Sequence, residues 1–339
     1  MYLFKKNLLK QDNILFVAEI GINHEGSIKK AKRLIQLAKK AGADAVKFQS
    51  FSLEKYCSSD EIERYNRLKK FSLTEKQFYQ LYKFSKKIGI NFLSTALTED
   101  YVKKLAKYCE VVKVASGDMS FLPVIEEIIK SNVKAIISTG MHDYKDVKDL
   151  ISFIRKKKGE KYLKKNFALM HCTTSYPPDL KDVNINVIRT FKEKLNLTIG
   201  YSNHILDQTA CITAIANGAK IIEVHFTDKR KGKKFHDHFI SYEPNELKSL
   251  IELSKKILIS LGSKQKKILD CEKKFLKAGK KGLIVSKDLV NGQVLKKNDI
   301  MYARPATYFN FKEKKKIAGK KILKNLKKGQ LIKNSLFKK

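Results

Sequence analysis

Residues 14–49 read ILFVAEIGINHEGSIKKAKRLIQLAKKAGADAVKFQ and contain one complete structural unit. The unit begins with a short apolar run, ILFVAEI (Ile14–Ile20), which predicts a strand. Apolar residues then recur at three-to-four spacing through IKKAKRLIQLAKKAG (Ile28–Gly42), which predicts an amphipathic helix. A second apolar run, DAVKF (Asp44–Phe48), follows. The order of strand, helix and strand favours a parallel sheet with helical crossovers.

The same alternation continues over about 250 residues, the length of a closed eight-stranded barrel. Each apolar run is followed by a segment with helical spacing, such as LTEKQFYQLYKFSKKIG (residues 73–89). The further runs are Ile90–Thr95, Glu110–Ser116, Val133–Thr139, Asn166–Cys172, Leu197–Ser202 and Lys220–Phe226. Eight such units predict a (β/α)8 TIM barrel over residues 1–262. A doubly wound open sheet is the structural alternative, but no GxGxxG motif opens the first helix.

The pattern changes after Gly262. Residues 263–280 are charged and poorly periodic, which predicts a linker. From residue 281 to residue 339, short β-like runs alternate with turn signals such as Asn291–Gly292 and Lys297–Asp299. This stretch predicts a compact, strand-rich domain of about 60 residues. So small a domain would gain stability by packing against a partner.

The composition favours a cytoplasmic protein. Hydrophobic residues make up 43% of the chain, enough for a sizeable core, and no apolar run is as long as a membrane span. The N-terminus, MYLFKKNLLKQDN, has neither an uninterrupted apolar stretch nor a small-residue cleavage site, so we expect no signal peptide. The five cysteines are scattered and form no CxxC pair, which is typical of free thiols in a reducing compartment.

The formal net charge of +37 comes from 64 lysines and seven arginines against 34 acidic residues. Nucleic-acid binding would explain such a charge, but proteins of that class usually rely on arginine forks. Here the lysines are spread along nearly every predicted helix, which favours a solvated lysine surface. Attraction of an anionic substrate is a further explanation, and the composition does not separate it from the solvated surface.

Polar side chains stand at the ends of all eight predicted strands, where the active sites of such barrels lie. Lys47 and Lys113 lie inside apolar runs, where an ammonium group is costly unless it meets an anion. With the hydroxyls at the same rim, they predict a site for a phosphate and a carboxylate. His204 and His225 end neighbouring strands and could place two imidazoles on one divalent metal, with Asp237 as a possible further ligand. Taken singly, either lysine could instead be a snorkelling residue at a strand end. Either histidine could be a hydrogen-bonded core residue, and Asp237 could lie in an exposed polar loop.

These strand ends carry a family resemblance. The segments AEIGINHEG (residues 18–26), AGADAVKFQ (41–49), FLSTA, KVASGD, ISTGM, HCTTSYP, GYSNH and EVHFT, in this order and spacing, resemble the sialic acid synthase family. That family makes N-acetylneuraminic, legionaminic and pseudaminic acids. The tail, GLIVSKDLVNGQVLKKNDIMYARPATY, resembles the family's C-terminal antifreeze-protein-like (SAF) domain. The resemblance covers nearly the whole chain.

The resemblance implies an enzyme that condenses phosphoenolpyruvate with an open-chain N-acyl amino sugar, N-acetylmannosamine or a related 2,4-diacetamido hexose. The products would be a nine-carbon 2-keto sugar acid and phosphate. It implies that Glu19 is the catalytic carboxylate and that His204 and His225 bind a divalent metal, usually manganese, with magnesium or cobalt as alternatives. The positions that match phosphoenolpyruvate contacts are Lys47, Thr95, Lys113, Ser116, Ser138, Thr174 and Ser202. Those that match acceptor-sugar contacts are Gln49, Asp118, Tyr176, Asp237 and Arg304.

The resemblance also implies a domain-swapped homodimer, because Arg304 matches an arginine that a partner's tail inserts into the barrel mouth. The departures from the family pattern at Ala96, Asp118, Thr174 and Asn203 fall mainly around the acceptor. They therefore concern the identity of the sugar more than the reaction. One alternative is another phosphoenolpyruvate-dependent synthase of the same superfamily, against which the SAF-like tail speaks. An inactive barrel and a nucleic-acid-binding protein are further alternatives, and the second gives no reason for the strand-end residues.

Overall fold

The eight predicted strands form one closed parallel barrel in the computed structural model, which describes residues 1–337. A short hairpin, β1 (Tyr2–Leu3) and β2 (Lys6–Asn7), precedes it. The barrel strands are β3 (Leu15–Gly21), β4 (Ala45–Ser50), β5 (Asn91–Ala96), β6 (Val111–Val114), β7 (Lys134–Ser138), β8 (Phe167–His171), β9 (Thr198–Asn203) and β10 (Ile221–His225). Strand β10 pairs with both β9 and β3 and so closes the barrel. The predicted (β/α)8 fold is confirmed.

Helices connect the strands and cover the outside of the barrel. They are α1 (Ile28–Ala41), α2 (Leu53–Tyr56), α3 (Ile62–Phe71), α4 (Glu75–Ile88), α5 (Glu99–Leu105), α6 (Leu122–Ser131), α7 (Tyr144–Asn166), α8 (Asn186–Leu195), α9 (Thr209–Ala216) and α10 (Pro244–Leu261). Helix α1 shows how the sequence sets their ends. The Ser27 side chain accepts a hydrogen bond from the Lys30 amide at its start, and Gly42 ends it with a φ of 94°.

The lower interior of the barrel is filled with apolar side chains. Leu15, Leu93 and Ile136 belong to a buried cluster at the amino ends of the strands, and Met1 and Leu3 of the N-terminal segment are part of the same cluster. Because this end is filled and covered, the interior has room for polar groups only at the carboxyl ends of the strands.

The period of two along a strand determines which polar groups enter that space. Val17 belongs to the apolar interior cluster, and Glu19, two residues later on β3, points to the same side. Ala45 and Lys47 are related in the same way on β4. The polar layer therefore lies directly above the apolar layer and is built from the same strand faces.

The connection between β4 and α4 carries two extra helices, α2 and α3. Phe51, Cys57 and Leu68 from this connection form a separate buried cluster with Leu97, which follows β5. The connection is thereby packed against the carboxyl end of the barrel.

From Ser263 onward, the described residues form a second compact unit. It contains α11 (Asp270–Lys273), α12 (Leu276–Gly279), β11 (Gly282–Val285), β12 (Ile300–Ala303) and α13 (Lys314–Ile317). Strands β11 and β12 pair antiparallel over a buried apolar cluster. The predicted linker, residues 263–280, belongs to this unit, because the carbonyl oxygens of Lys277 and Gly279 accept hydrogen bonds from Ala306 and Arg304. That the unit is a SAF domain stays a prediction.

Candidate active site at the carboxyl ends of the barrel strands

A cavity of about 1000 Å³ opens at the carboxyl ends of the strands. Thirteen of the residues predicted for the site line it: Glu19, Lys47, Gln49, Thr95, Lys113, Ser116, Ser138, Thr174, Tyr176, Ser202, His204, His225 and Asp237. Most of the strand-end members of this set are buried, whereas the outer part of the cavity is lined by exposed loop residues. The structure therefore brings together side chains from all eight strands and their following loops.

Two predicted residues lie elsewhere. Asp118 is in the 3-10 turn Ser116–Asp118 but does not line the cavity, and burial raises the pKa of its carboxyl to about 6. The turn carries Ser116 into the cavity, and Asp118 is close enough to Tyr56 to influence the pKa of that phenol. Arg304 lies in the second unit, where its Nε donates a hydrogen bond to the carbonyl oxygen of Gly279 at 2.7 Å. Its predicted role in a partner's cavity stays a prediction.

Lys47 lies at the centre of a buried ionic network. Its Nζ is 3.2 Å from Glu19 Oε1 and 3.3 Å from Glu223 Oε1, and it donates a hydrogen bond to Thr95 Oγ1 at 3.1 Å. Burial disfavours the charged amine, but the two carboxylates outweigh burial and raise the pKa of Lys47. The lysine is therefore held charged inside the barrel.

Lys113 extends the network across the cavity. Its Nζ is 3.8 Å from Glu223 Oε1 and donates a hydrogen bond to Ser138 Oγ at 2.5 Å. Burial lowers the pKa of Lys113, and Glu223 opposes that shift. Ser202 Oγ donates a further hydrogen bond to Glu223 Oε1 at 3.1 Å. One carboxylate thus joins both lysines.

The two glutamates differ in protonation because their surroundings differ. Burial raises the pKa of Glu19 to about 7, with Lys47 opposing and Glu223 adding to the rise. Burial acts on Glu223 too, but Lys113 and Lys47 outweigh it and lower its pKa to about 2. Near neutral pH, Glu223 is a fixed negative charge and Glu19 can both accept and release a proton. Glu19 Oε2 is buried and makes no hydrogen bond to any residue in the described range, so it faces the cavity unpaired.

Glu223 is the functional residue that the sequence analysis missed. It stands in IIEVH, the run that forms β10, and is only 5% exposed. Glu223 is a charged group inside an apolar run, the same pattern that distinguishes Lys47 and Lys113. The carboxylate of Glu223 is therefore an anion within the protein that both lysines contact, before any substrate binds.

A cradle of hydroxyl groups lies beside Lys113. The Gly140 amide donates a hydrogen bond to Ser116 Oγ at 3.1 Å, and Thr174 Oγ1 is buried without a hydrogen-bond partner among residues 1–337. A Cβ on Gly140 would lie 2.9 Å from Ser116 Oγ and 3.0 Å from Cys172 Sγ. The glycine is thus what allows these groups to come together, and with Lys113 they form a pocket suited to an anion.

His204 and His225 have the properties of metal ligands. Their ring centroids are 5.4 Å apart. His204 Nδ1 lies 2.7 Å from the carbonyl oxygen of Thr173, which makes Nδ1 the protonated nitrogen and leaves Nε2 for a ligand. His225 Nδ1 is buried and has no hydrogen-bond partner within the described chain. Burial lowers the pKa of both rings, that of His204 to about 4, so both are neutral near pH 7, as metal ligands must be.

Residues 1–337 contain no cluster of three or more His, Cys, Asp and Glu side chains that could hold a metal ion. Asp237, predicted as a possible third ligand, lines the cavity but is not part of such a cluster. The two imidazoles fit a divalent ion that leaves its remaining positions to water and substrate, the open coordination of a catalytic site.

These features define a barrel enzyme whose active-site cavity is built for an anionic substrate. Residues 34–266 match the NeuB family. The chain is 32% identical over 332 residues to the N,N'-diacetyllegionaminic acid synthase of Campylobacter jejuni, with 94% of this chain and 98% of that protein covered. It is 33% identical over 276 residues to the N-acetylneuraminate-9-phosphate synthase of Homo sapiens, with 77% and 75% covered.

The similarity extends to solved structures. The crystal structure of the N-acetylneuraminic acid synthetase from Leptospira borgpetersenii, in complex with citrate, matches with a TM-score of 0.73 and 31% identity, covering 78% of this chain and 90% of that one. The chain belongs to the NeuB family. This membership confirms the predicted enzyme class, a phosphoenolpyruvate-dependent synthase of the sialic acid type. Among the helices of residues 1–337, none is both long enough and apolar enough to cross a membrane.

The opposite pKa shifts of the two glutamates lead to different pH dependences of stability. Glu19 has a folded pKa of about 7, above its ordinary value, so its burial costs stability as the pH rises toward and through 7. Compared with the native protein, Glu19→Gln should gain in free energy of unfolding between pH 5 and pH 8. Glu223 has a folded pKa of about 2, so its stabilising effect is already present at pH 5 and is lost only in more acidic solution.

The measurement is urea unfolding of metal-free protein at pH 5 and pH 8. Glu223→Gln is measured for comparison and should be less stable than the native protein at both pH values, because Glu223 is ionised at each of them. If Glu19→Gln shows the same offset from the native protein at both pH values, Glu19 does not titrate between them and the assignment of its proton is wrong.

Proposed function

We propose that this enzyme condenses phosphoenolpyruvate with an open-chain N-acyl amino sugar to give a nine-carbon 2-keto sugar acid and phosphate. The observation that carries the proposal is the pairing of two buried lysines with hydroxyl groups on one cavity floor. Lys47 lies with Thr95, and Lys113 lies with Ser138 beside the hydroxyl cradle. Two separate cationic sites on one floor suit a small molecule with two anionic groups, a carboxylate and a phosphate.

The internal carboxylates set the conditions for binding. Lys47 and Lys113 already interact with Glu223, so an incoming anion shares them with this glutamate. The lysines are thus kept charged and in place before the substrate arrives, which lowers the reorganisation that binding requires. Ser116 and Thr174 add neutral hydrogen-bond donors that do not have to be separated from a carboxylate.

In the proposed reaction, C3 of phosphoenolpyruvate forms a bond to the aldehyde carbon of the open sugar. The carbon that was C2 of phosphoenolpyruvate then becomes electron-poor, and water adds to it. Loss of phosphate from the same carbon leaves the 2-keto acid. Glu19 is the group that can take the proton from that water and return it to a departing oxygen, because its pKa is close to neutral. Lys47 and Lys113 would offset the carboxylate and phosphate charges throughout.

His204 and His225 would hold a divalent metal, manganese by preference and magnesium or cobalt as alternatives. When bound, such an ion supplies Lewis acidity toward the aldehyde oxygen of the acceptor. The hydrogen bond from His204 to the Thr173 carbonyl keeps the ring in the tautomer that can ligate. Gln49, Tyr176 and Asp237 would contact the sugar in the outer part of the same cavity.

The test of this function is phosphate release from phosphoenolpyruvate. We expect release to require both an N-acyl amino sugar and a divalent metal. The panel comprises N-acetylmannosamine, its 6-phosphate and a 2,4-diacetamido hexose, each with manganese. Chelation should stop the reaction, and His204→Ala should require far more metal for turnover because one of two protein ligands is lost. Release of phosphate without any sugar, or full activity of His204→Ala in chelated protein, would contradict the proposal.

Lys113→Met should raise the Michaelis constant for phosphoenolpyruvate by roughly tenfold or more, since a charge-assisted hydrogen bond is typically worth about 1.5–3 kcal/mol. The matched control is Lys113→Met with Glu223→Gln, which removes one positive and one negative charge together. It should recover stability, because no buried carboxylate lacks its lysine, without recovering affinity for phosphoenolpyruvate. If the double variant binds phosphoenolpyruvate like the native enzyme, Lys113 serves only to neutralise Glu223.

We also propose that the second unit completes the acceptor site of a partner subunit through Arg304. The arginine is the only one in residues 263–339, and it uses only Nε for a hydrogen bond within the part of the chain that the structure describes. The planar terminal nitrogens of its guanidinium remain available for a sugar amide.

Mixing two inactive proteins tests this arrangement. Glu19→Gln and Arg304→Ala should each be inactive alone, and together they should regain activity once subunits exchange. Half of the sites in each mixed dimer would then combine an intact Glu19 with an intact Arg304. Exchange without recovery, followed for example with two different tags, would show that the second unit does not serve the partner's barrel.

A further inference from the structure

Four exposed, basic side chains line the outer part of the active-site cavity. Arg64 and Arg67 come from α3, and Lys234 and His236 come from the loop after β10. We call these four residues the rim. The rim takes no part in the proposed reaction, since phosphoenolpyruvate is placed at the buried lysines of the floor.

The two rim arginines differ from the other arginines of the barrel. Arg33, Arg155, Arg189 and Arg230 each form an ion pair with a carboxylate. Within the described residues, Arg64 and Arg67 form none. Glu63 lies four residues before Arg67 on the same helix, the spacing of an ordinary surface pair, yet the two do not pair. The barrel thus leaves unpaired the two arginines that face the cavity.

Arg64 and Arg67 are three residues apart on one helix and therefore lie on neighbouring positions of one face, where like charges repel. Arg64 lies over the ring of Tyr56 at 5.5 Å. Burial raises the pKa of the Asp237 carboxyl, and Arg67 is close enough to oppose that rise. Both contacts are with residues that line the cavity. Two like charges held side by side at a cavity favour the binding of an anion between them.

Helix α3 is held firmly above the floor, which gives the two arginines a defined position. Leu68 is buried in the cluster that packs this connection on the barrel. The Phe71 ring meets Phe235 edge to face at 5.4 Å. At Gly26 the backbone passes so close that an added Cβ would lie 2.5 Å from the Lys70 carbonyl oxygen. These three contacts, at Leu68, Lys70 and Phe71, fix the end of the helix that carries Arg67.

We infer that Arg64 and Arg67 bind a phosphate ester on the acceptor sugar, at the end of the sugar remote from its aldehyde. The inference rests on the proposed function. An acceptor that reacts with phosphoenolpyruvate on the floor must extend outward, so its far end reaches the rim. Guanidinium groups match phosphate oxygens with two parallel hydrogen bonds each, and Lys234 adds a third positive charge. The substrate class is therefore a phosphorylated N-acyl amino sugar.

A neutral acceptor would not account for the same features. Hydroxyl and amide groups can accept hydrogen bonds from the arginines, but they are neutral and do not offset two adjacent positive charges. The buried lysines of the floor do not need the rim either, because Glu19 and Glu223 already surround Lys47. A doubly charged phosphate at the outer end of the substrate accounts for both arginines at once.

The test compares kcat/KM for N-acetylmannosamine and N-acetylmannosamine 6-phosphate, with manganese and phosphoenolpyruvate in excess. The native enzyme should prefer the phosphate ester by roughly a hundredfold, since each charge-assisted contact contributes about tenfold. Arg64→Gln and Arg67→Gln should each reduce this preference by roughly tenfold, and the double variant should abolish it. Arg189→Gln is the matched control, because Arg189 is an exposed arginine paired with Glu193 on an outer helix, and it should leave the preference unchanged.

A binding measurement separates recognition from catalysis. N-acetylmannosaminitol 6-phosphate has no aldehyde and cannot react, so calorimetry on it reports binding without catalysis. It should bind the native protein and bind the double arginine variant at least roughly tenfold more weakly. Equal use of both sugars by the native enzyme, or an unchanged preference in the double variant, would overturn the inference. In those cases phosphate release with the unphosphorylated sugar would leave the proposed function intact, whereas no release with any sugar would mean that the function itself is wrong.

Discussion

Four ionisable groups buried inside the barrel constrain the rest of the active site. Lys47 lies between Glu19 and Glu223, and Glu223 also interacts with Lys113. None of these charges could stay in an apolar interior alone, because the loss of hydration would neutralise or expel it. Each therefore depends on a neighbour from a different strand, and the strand register that closes the barrel is what brings them within reach. The same contacts that balance the buried charges also fix the positions of these four side chains at the cavity.

The different protonation of the two glutamates follows from this network. Glu223 contacts both lysines and remains ionised, while Glu19 contacts one lysine and keeps a pKa near neutral. A pair of carboxylates with separated pKa values is how an enzyme keeps one group for charge balance and another for proton transfer. Of the eight buried side-chain atoms that lack a hydrogen-bond partner in the described structure, three belong to residues that line the cavity: Glu19 Oε2, Thr174 Oγ1 and His225 Nδ1. They are the positions at which a substrate or a metal would complete the site.

The basic residues behind the large positive charge of the chain fall into three groups that differ in their surroundings. Most lysines are exposed and scattered over helices, as expected for a solvated surface. Two are buried on the cavity floor, where carboxylates balance them. Two arginines at the rim remain unpaired among residues 1–337, while the other barrel arginines are paired with carboxylates. This sorting favours an anionic ligand in the cavity, and it gives no support to a nucleic-acid groove as the reason for the charge.

The sequence by itself determined the eight strands, because apolar runs and helical spacing are local signals. It also identified Lys47, Lys113, His204 and His225, because a polar group in an apolar run is conspicuous. Glu223 carries the same signal in the run that ends with His225. What only the tertiary structure decided is which of these groups meet: that Glu223 joins both lysines, that Asp118 is not among the residues lining the cavity, and that α3 brings Arg64 and Arg67 to its rim. Such contacts join residues far apart in the chain, and they depend on strand register and on the packing of loops, which no local pattern of residues encodes.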